Sequence, residues 1–132
     1  MKYTVEHLGL PAPDSAALKN WYVDVLEAKL VCDNGQTPAT YLLSLAGGLM
    51  IEIYPATTTS PDTANNFVAG FRHLALRVAS IEEAQAALEK KGVTFPEPSR
   101  PAMGGGRVLF FRDPNQNLLH FVERAPDSPI RA

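Results

Sequence analysis

Three histidines and one glutamate are the side chains of this sequence whose types and spacing point to chemistry. His7 and His73 lie 66 residues apart, and Glu52 and His120 lie 68 residues apart. The first pair opens two strand-like segments, and the second pair lies in the last strand-like segment of each half of the chain. Imidazole and carboxylate groups suit borderline divalent metals. The spacing predicts a duplicated unit whose two copies together supply four ligands to one metal ion.

Alternation along these segments predicts which way the four side chains face. Side chains of a strand point to opposite faces in turn. Each of the four has apolar neighbours in adjacent positions, such as Leu8 beside His7, or Ile51 and Ile53 on either side of Glu52. The apolar faces need helices to cover them. The four polar side chains are therefore predicted to line a cleft on the opposite face.

The elements that position these residues follow the same order in both halves of the chain. Asp14 or Ser15 caps a first helix with an apolar stripe from Leu18 to Leu26, and the capping box Ser80-Ile-Glu-Glu83 opens a second. Alternation and turn residues predict eight strands, at 3–10, 29–32, 40–45, 49–54, 71–79, 93–95, 108–112 and 118–123. The predicted fold class is α+β. Two tandem βαβββ modules form a curved mixed sheet around a metal-site cleft, with the helices on the outer face.

One domain covering residues 1–132 is expected, built from two modules and a connection. Module one spans residues 1–55 and module two spans 71–124, with a linker at 56–70 that is rich in Thr, Pro, Ala and Asn and lacks periodicity. The tail at 125–132 is predicted to be poorly ordered. The glycine-rich run at 103–106 lacks the features of a phosphate-binding loop and is predicted to be a mobile loop.

Composition excludes several classes of function. The chain has 132 residues, 45% of them hydrophobic, and a net charge of −2, with no basic stripe that would bind nucleic acid. No apolar segment approaches the ~20 residues that span a membrane, and the N-terminus lacks a signal peptide's apolar segment. The single cysteine, Cys32, cannot form an internal disulfide and is predicted to be buried or half-buried. A reducing, cytoplasmic setting is expected.

Four short motifs carry a resemblance to a known family. They are Glu6-His-Leu-Gly-Leu10, Trp21-Tyr22 with Leu26-Glu-Ala28, Arg72-His-Leu-Ala-Leu76, and Phe111-Arg-Asp-Pro-Asn-Gln-Asn-Leu-Leu-His-Phe121. Together with the order of elements, they resemble the vicinal oxygen chelate superfamily of glyoxalases, bleomycin resistance proteins and dioxygenases. The resemblance covers nearly the whole chain. Within that superfamily the sequence is most similar to glyoxalase I.

The resemblance implies that His7, Glu52, His73 and His120 hold one divalent ion, which would be Zn, Ni, Co, Mn or Fe. It implies a lyase or isomerase that moves a proton, through a metal-stabilised enediolate, on a small substrate with vicinal oxygens. Glu52 is the first choice for the catalytic proton shuttle, with His120 as the alternative. His120 stands where glyoxalase I has a glutamate, and Pro11 stands where an arginine often contacts glutathione. A homodimer is also implied.

Strand alternation directs four further side chains towards the predicted cleft. Tyr54 and Phe110 are predicted to pack against an apolar part of the substrate. Arg77 and Arg112 are predicted to hold an anionic group or to lie in salt bridges at the rim. Two other functions stay open at this point. One is a non-haem iron dioxygenase, and the other is a metal-free protein that binds a drug-like molecule without turnover, as bleomycin resistance proteins do.

Overall fold

A computed structural model describes residues 2–131, so Met1 and Ala132, the outermost residues of the predicted domain, lie outside it. Two helices and eight strands follow one another in the order β1 (His7–Ala12), α1 (Ser15–Leu26), β2 (Lys29–Asp33), β3 (Tyr41–Ser44), β4 (Met50–Pro55), β5 (His73–Arg77), α2 (Ile81–Glu89), β6 (Arg100–Pro101), β7 (Arg107–Arg112) and β8 (Leu118–Glu123). A short 3₁₀ helix at Pro61–Ala64 lies between β4 and β5. The predicted α+β class with two tandem βαβββ modules is confirmed.

The strands form two four-stranded sheets, one in each module, instead of one continuous hydrogen-bonded sheet. The strand order is β1-β4-β3-β2 in the first sheet and β5-β8-β7-β6 in the second. In both sheets the first and last strands of the module pair in parallel, and the other pairs are antiparallel. The two modules therefore repeat one topology. Backbone contacts divide the chain between Ser60 and Pro61, inside the predicted linker.

Helix α1 begins where the sequence predicts and packs on the sheet of its own module. The side chain of Asp14 accepts a hydrogen bond from the backbone N–H of Ala17, which satisfies a donor of the first turn. Leu18, Tyr22 and Val25 are buried on the side that meets β4, β1 and β3. The helix ends at a left-handed residue after Leu26, as helix C-termini often do. The apolar stripe covers the sheet face opposite His7 and Glu52.

Helix α2 is fixed at its first turn by two side chains. The hydroxyl of Ser80 accepts from the backbone N–H of Glu83, which confirms the predicted cap. The carboxylate of Glu123, at the end of β8, accepts from the backbone N–H of Ile81 at 2.8 Å and from Arg107 at 3.2 Å. Glu123 is the last residue of the strand predicted at 118–123. In the structure it joins the N-terminus of α2 to the sheet.

The strand predicted at 93–95 is wrong. Phe95 is held by its side chain, whose ring lies 5.4 Å from the ring of Phe111 and 6.1 Å from that of Phe121, centroid to centroid. Backbone pairing with β7 starts only at Arg100, which lies opposite Val108. Buried Val93 and half-buried Phe95 thus gave this segment a strand-like pattern without a ladder of hydrogen bonds.

The glycine-rich loop and the C-terminal tail are tied to each other, which corrects the predictions of a mobile loop and a poorly ordered tail. Arg124 donates hydrogen bonds to the backbone carbonyls of Met103 and Gly105. Ser128 is buried and donates its hydroxyl proton to the carbonyl of Gly104. A polar side chain that is buried with a satisfied hydrogen bond holds its segment in place.

Two smaller predictions also change. Strand β1 continues through Pro11 to Ala12, because it lies at the edge of its sheet, where a proline lacking an N–H is tolerated. Cys32 is exposed, since it lies on the edge strand β2, whose residues are all exposed. Among residues 2–131, no helix combines the length and the apolar character that crossing a membrane requires.

Candidate functional site

The first candidate ligand pair lies within module one, on its two parallel strands. His7 on β1 lies opposite Met50, and Glu52 on β4 lies opposite Gly9, so the two side chains are diagonal neighbours on one face of the sheet. His7 Nε2 is 3.8 Å from Glu52 Oε2, and the two side chains are 35% and 38% exposed. The ring of Tyr54 lies over Gly9, where a Cβ atom would be 3.3 Å from it. A glycine therefore leaves room for Tyr54 beside the pair.

The second pair repeats this arrangement within module two. His73 on β5 lies opposite Leu118, and His120 on β8 lies opposite Ala75, which is the same diagonal relation. The two imidazole rings are 4.9 Å apart between centroids. His120 is only 6% exposed, whereas His73 is exposed. The matched register supports the internal duplication inferred from the spacing of the four residues.

Phe110 packs against both histidines of module two. It lies opposite His120 across the β7–β8 ladder, and its ring centroid is 4.8 Å from that of His120 and 5.8 Å from that of His73. The contact with His73 is edge-on, with an interplanar angle of 84°. Such contacts restrict ring rotation and hold the two imidazoles on one side of the sheet.

All three histidines bind an oxygen atom through Nδ1. The partner is the Glu6 carboxylate for His7 at 2.9 Å, the Asn66 side-chain oxygen for His73 at 2.8 Å, and the Phe121 carbonyl for His120 at 3.1 Å. These oxygens accept hydrogen bonds, so Nδ1 carries the proton and Nε2 of the neutral ring keeps its lone pair. Metal-binding histidines are usually oriented by such a hydrogen bond.

The pKa of His120 lies below the ordinary value for histidine. Burial is the main cause, because it disfavours the charged imidazolium. The hydrogen bond to the Phe121 carbonyl opposes this shift, and electrostatic interactions with His73, Arg124 and Arg100 add to it. His120 is therefore neutral at pH 7, as a metal ligand or a proton acceptor must be.

The His7–Glu52 pair has about the spacing of two ligands on one metal ion. Two nitrogen or oxygen ligands around a tetrahedral ion with bonds of ~2.1 Å lie roughly 3.4 Å apart, close to the separation of His7 Nε2 and Glu52 Oε2. Within residues 2–131, however, no group of three or more histidine, cysteine, aspartate or glutamate side chains is gathered closely enough to hold a metal ion. The structure thus brings the predicted ligands together as two pairs.

Module two also contains a cavity of about 460 Å³ whose wall includes polar, charged and aromatic side chains. Asn66 and Phe110 contribute to this wall, and both also contact the histidines of the second pair. Arg100, Glu97 and Arg112 supply the charged groups. The second histidine pair therefore lies next to the cavity, and Asn66 and Phe110 contact both.

The four residues predicted to contact substrate have different surroundings. Phe110 and Arg112 line the cavity, and Tyr54 lies beside Glu52 on β4. Arg112 donates to the carbonyls of Ala64 at 2.9 Å and Gln116 at 3.3 Å. Arg77 donates to the carbonyl of Ile130 at 3.4 Å and is not part of the cavity wall.

Arg100 is a cavity residue that the sequence analysis missed. Its guanidinium carbon lies 4.8 Å from the centre of the Phe110 ring. The sequence places it in a proline-rich segment with no alternation, where a strand of two residues leaves no pattern. Arg100 could have been placed near Phe110 only by predicting a hairpin in which this segment pairs with β7 across the glycine-rich turn.

The chain matches a family model and several known proteins over most of its length. The model described as the Glyoxalase/Bleomycin resistance protein/Dioxygenase superfamily matches residues 4–121. The uncharacterized protein YwkD of Bacillus subtilis (strain 168) is 29% identical over an alignment of 129 residues, and the match covers 92% of this chain and 97% of YwkD.

Two solved structures have the same fold. A glyoxalase family protein from Enterococcus faecalis superimposes with a TM-score of 0.77 and 28% identity, covering 91% of this chain and 97% of its own. The fosfomycin resistance protein FosX from Listeria monocytogenes, solved with Mn(II) and sulfate, superimposes with a TM-score of 0.70. Its identity is 19%, over 96% of this chain and 94% of FosX, so it supports the fold alone.

Proposed function

Since the chain belongs to the glyoxalase/bleomycin resistance protein/dioxygenase superfamily, we propose that it is a divalent-metal-dependent enzyme of the glyoxalase-like class. The proposed activity is that of a lyase or isomerase, which moves a proton on a small substrate with adjacent oxygen atoms. The observation that carries the proposal is common to the three histidines. Each binds an oxygen through Nδ1 and so keeps the lone pair of Nε2 for a metal.

His7 and Glu52 of module one, with His73 and His120 of module two, would hold one ion of Zn, Ni, Co, Mn or Fe. When bound, such an ion supplies a Lewis acid for the substrate oxygens. The proposal requires the pairs of two modules, from one chain or from two copies, to meet at the same ion. Mn(II) in FosX supports a divalent ion in a protein of this fold.

Glu52 is the proposed proton shuttle. Its side chain is 38% exposed and lies beside His7 on the half-buried face of β4, so its carboxylate can reach a substrate carbon acid. His120 is the alternative, because the lowered pKa of its buried ring keeps it neutral and able to accept a proton at pH 7. Tyr54 beside Gly9 supplies an apolar surface next to the shuttle.

Proton transfer by this chain can be tested with hydroxyacetone, a small hydroxyketone, in deuterated water. We expect the metal-loaded wild type to exchange the C–H protons beside the carbonyl, observed by proton NMR. Glu52→Gln, which keeps the shape of the side chain but removes the base, should lower the exchange rate by at least ~100-fold while the fold is retained. Exchange no faster than with metal-free protein would refute the proposed reaction class.

The donor set also favours a second candidate function. Imidazoles combined with one carboxylate are the ligands that non-haem iron dioxygenases use for ferrous iron, with positions left open for oxygen. This function predicts that protein loaded with iron under anaerobic conditions consumes dioxygen when a catechol is added. The lyase or isomerase proposal predicts no such uptake.

A homodimer is part of the proposal. Edge strand β2 exposes Leu30 and Val31, which are 48% and 55% exposed, and Tyr3 and Val5 before β1 are 88% and 85% exposed. Apolar side chains grouped along sheet edges are typical of surfaces that meet a second chain. Light scattering is expected to give twice the chain mass of 14.3 kDa. A mass of one chain at all concentrations would contradict this part.

A further inference from the structure

The cavity of module two contains two arginines that are bound in different ways. Arg112 donates to the carbonyls of Ala64 and Gln116, so its guanidinium holds the segment after the 3₁₀ helix against the end of β7. Arg100 forms no salt bridge and donates no side-chain hydrogen bond within residues 2–131; its guanidinium lies on the ring of Phe110. Of the two guanidinium groups, only that of Arg100 donates to no acceptor within residues 2–131.

Phe110 holds the Arg100 guanidinium in a defined place. A guanidinium at 4.8 Å from a ring centroid is attracted by the negative face of the ring, while its edge N–H groups stay free to donate. This geometry suits a planar group with two acceptor oxygens, because the guanidinium offers two parallel N–H donors. The ring that positions Arg100 also packs against His73 and His120.

The rest of the cavity wall adds an apolar surface and a limited charge. Phe67 is 92% exposed in this wall, so a ligand with an apolar part would remove its ring from water. Arg100 and Arg112 carry two positive charges and Glu97 carries one negative charge, which leaves one positive charge for a ligand to neutralise. A volume of about 460 Å³ lies within the range of pockets that bind small organic molecules.

We propose that this cavity binds a small planar monoanion, with a carboxylate on the guanidinium of Arg100 and an aromatic or other apolar part between Phe110 and Phe67. Arg100 is then the residue that selects the charge of the ligand, and Arg112 shapes the wall. The proposal deepens the proposed function, on which it rests for one point, that the bound anion is the substrate. The binding itself does not require the metal.

Calorimetric titration of the metal-free protein tests this directly. Benzoate is the probe, and benzamide is its neutral isostere of the same shape. We expect benzoate to bind at least ~10-fold more tightly than benzamide. Arg100→Gln should lower the benzoate affinity at least ~10-fold and leave benzamide unchanged, because only the charged hydrogen bonds are lost. Lys90→Gln removes the same charge from the exposed end of α2, outside the cavity wall, and should leave both affinities unchanged.

Three results would overturn the proposal. They are no benzoate binding at concentrations up to about 10 mM, equal affinities for benzoate and benzamide, or an Arg100→Gln protein that binds benzoate as the wild type does. Metal content measured on the same samples separates the two proposals. If benzoate binds and the protein holds no metal, the anion cavity is supported and the proposed function is refuted. If metal binds and benzoate does not, the proposed function is supported and the anion cavity is refuted.

Discussion

At the scale of single residues, the two nitrogens of each histidine ring have separate tasks. Nδ1 is fixed by Glu6, Asn66 or the Phe121 carbonyl, and these hydrogen bonds set the tautomer before any metal is present. His7 and His73 are exposed, while His120 is buried below the ring of Phe110. Burial makes His120 the histidine whose protonation is most closely linked to the stability of the fold.

The lowered pKa of His120 predicts how stability depends on pH in the metal-free protein. Between the unfolded-state pKa, about 6.5, and the lower folded-state pKa, the unfolded chain binds a proton that the folded protein does not. The contribution of His120 is therefore fully present above the unfolded-state pKa and is lost as the pH falls towards the folded-state pKa. Urea unfolding should show a free energy that decreases between about pH 7.5 and pH 5.5.

The His120→Gln protein provides the comparison. Its side chain does not titrate, so the decrease over the same pH range should be smaller than in the wild type, whatever the absolute stability of the variant. The slope is the quantity to compare, because replacing a buried side chain also changes packing. An identical slope in both proteins would show that burial of His120 does not govern its protonation.

The face that each candidate ligand occupies could be predicted from alternation alone, and the structure agrees at His7, Glu52, His73 and His120. Burial could not be predicted in the same way. All residues from Leu118 to Val122 are buried, since both faces of β8 are covered, and alternation does not reveal a covered second face. Arg100 was missed for a related reason, because its neighbour Phe110 is near it in space and not in sequence.

At the scale of elements, the helices were easy to predict and the short strands were not. Asp14 and Ser80 cap helices whose apolar stripes extend over several turns, so many residues agree on one period. Strand β6 consists of Arg100 and Pro101 alone, and its register depends on the glycine-rich turn that leads into β7. The conformation of such a turn depends on tertiary contacts of the loop, so the register of β6 could not be predicted from local sequence.

Gly106 is the position where that loop approaches β8 most closely. A Cβ atom on Gly106 would overlap the carbonyl oxygen of Glu123, and the residue has a φ of +93°. Gly105 has a similar φ of +89°, but a Cβ atom there would lie 3.8 Å from Ala125, an ordinary contact. Gly105→Ala should cost about 1–2 kcal/mol of unfolding free energy from backbone strain alone.

Gly106→Ala should destabilise the protein by at least ~2 kcal/mol more than Gly105→Ala, because the backbone of β8 has to move. Urea denaturation of both variants beside the wild type measures the difference. Equal losses in the two proteins would mean that the loop does not approach β8 as described. Both glycines have a similar positive φ, so backbone strain is similar in the two variants. The difference in their unfolding free energies therefore measures the close packing at Gly106.

At the scale of the whole molecule, duplication explains why this chain has two similar ligand pairs. Similar offsets, 66 residues between His7 and His73 and 68 between Glu52 and His120, were visible in the sequence, and the sheets repeat the same register around both pairs. Sequence also predicted the family, which its motifs and order of elements identify. How the two pairs combine could not be predicted from spacing, since spacing determines positions within a module only.

Metal stoichiometry shows whether the two modules share one ion. It is measured by elemental analysis of protein that is purified without an affinity tag, saturated with Zn²⁺ and dialysed. We expect about one ion per chain in the wild type, because four ligands act together on one ion. His7→Ala and His73→Ala should each lose at least ~90% of that metal, because each variant removes a ligand from a different module. Wild-type metal content in either variant would contradict the claim that the two modules share one ion.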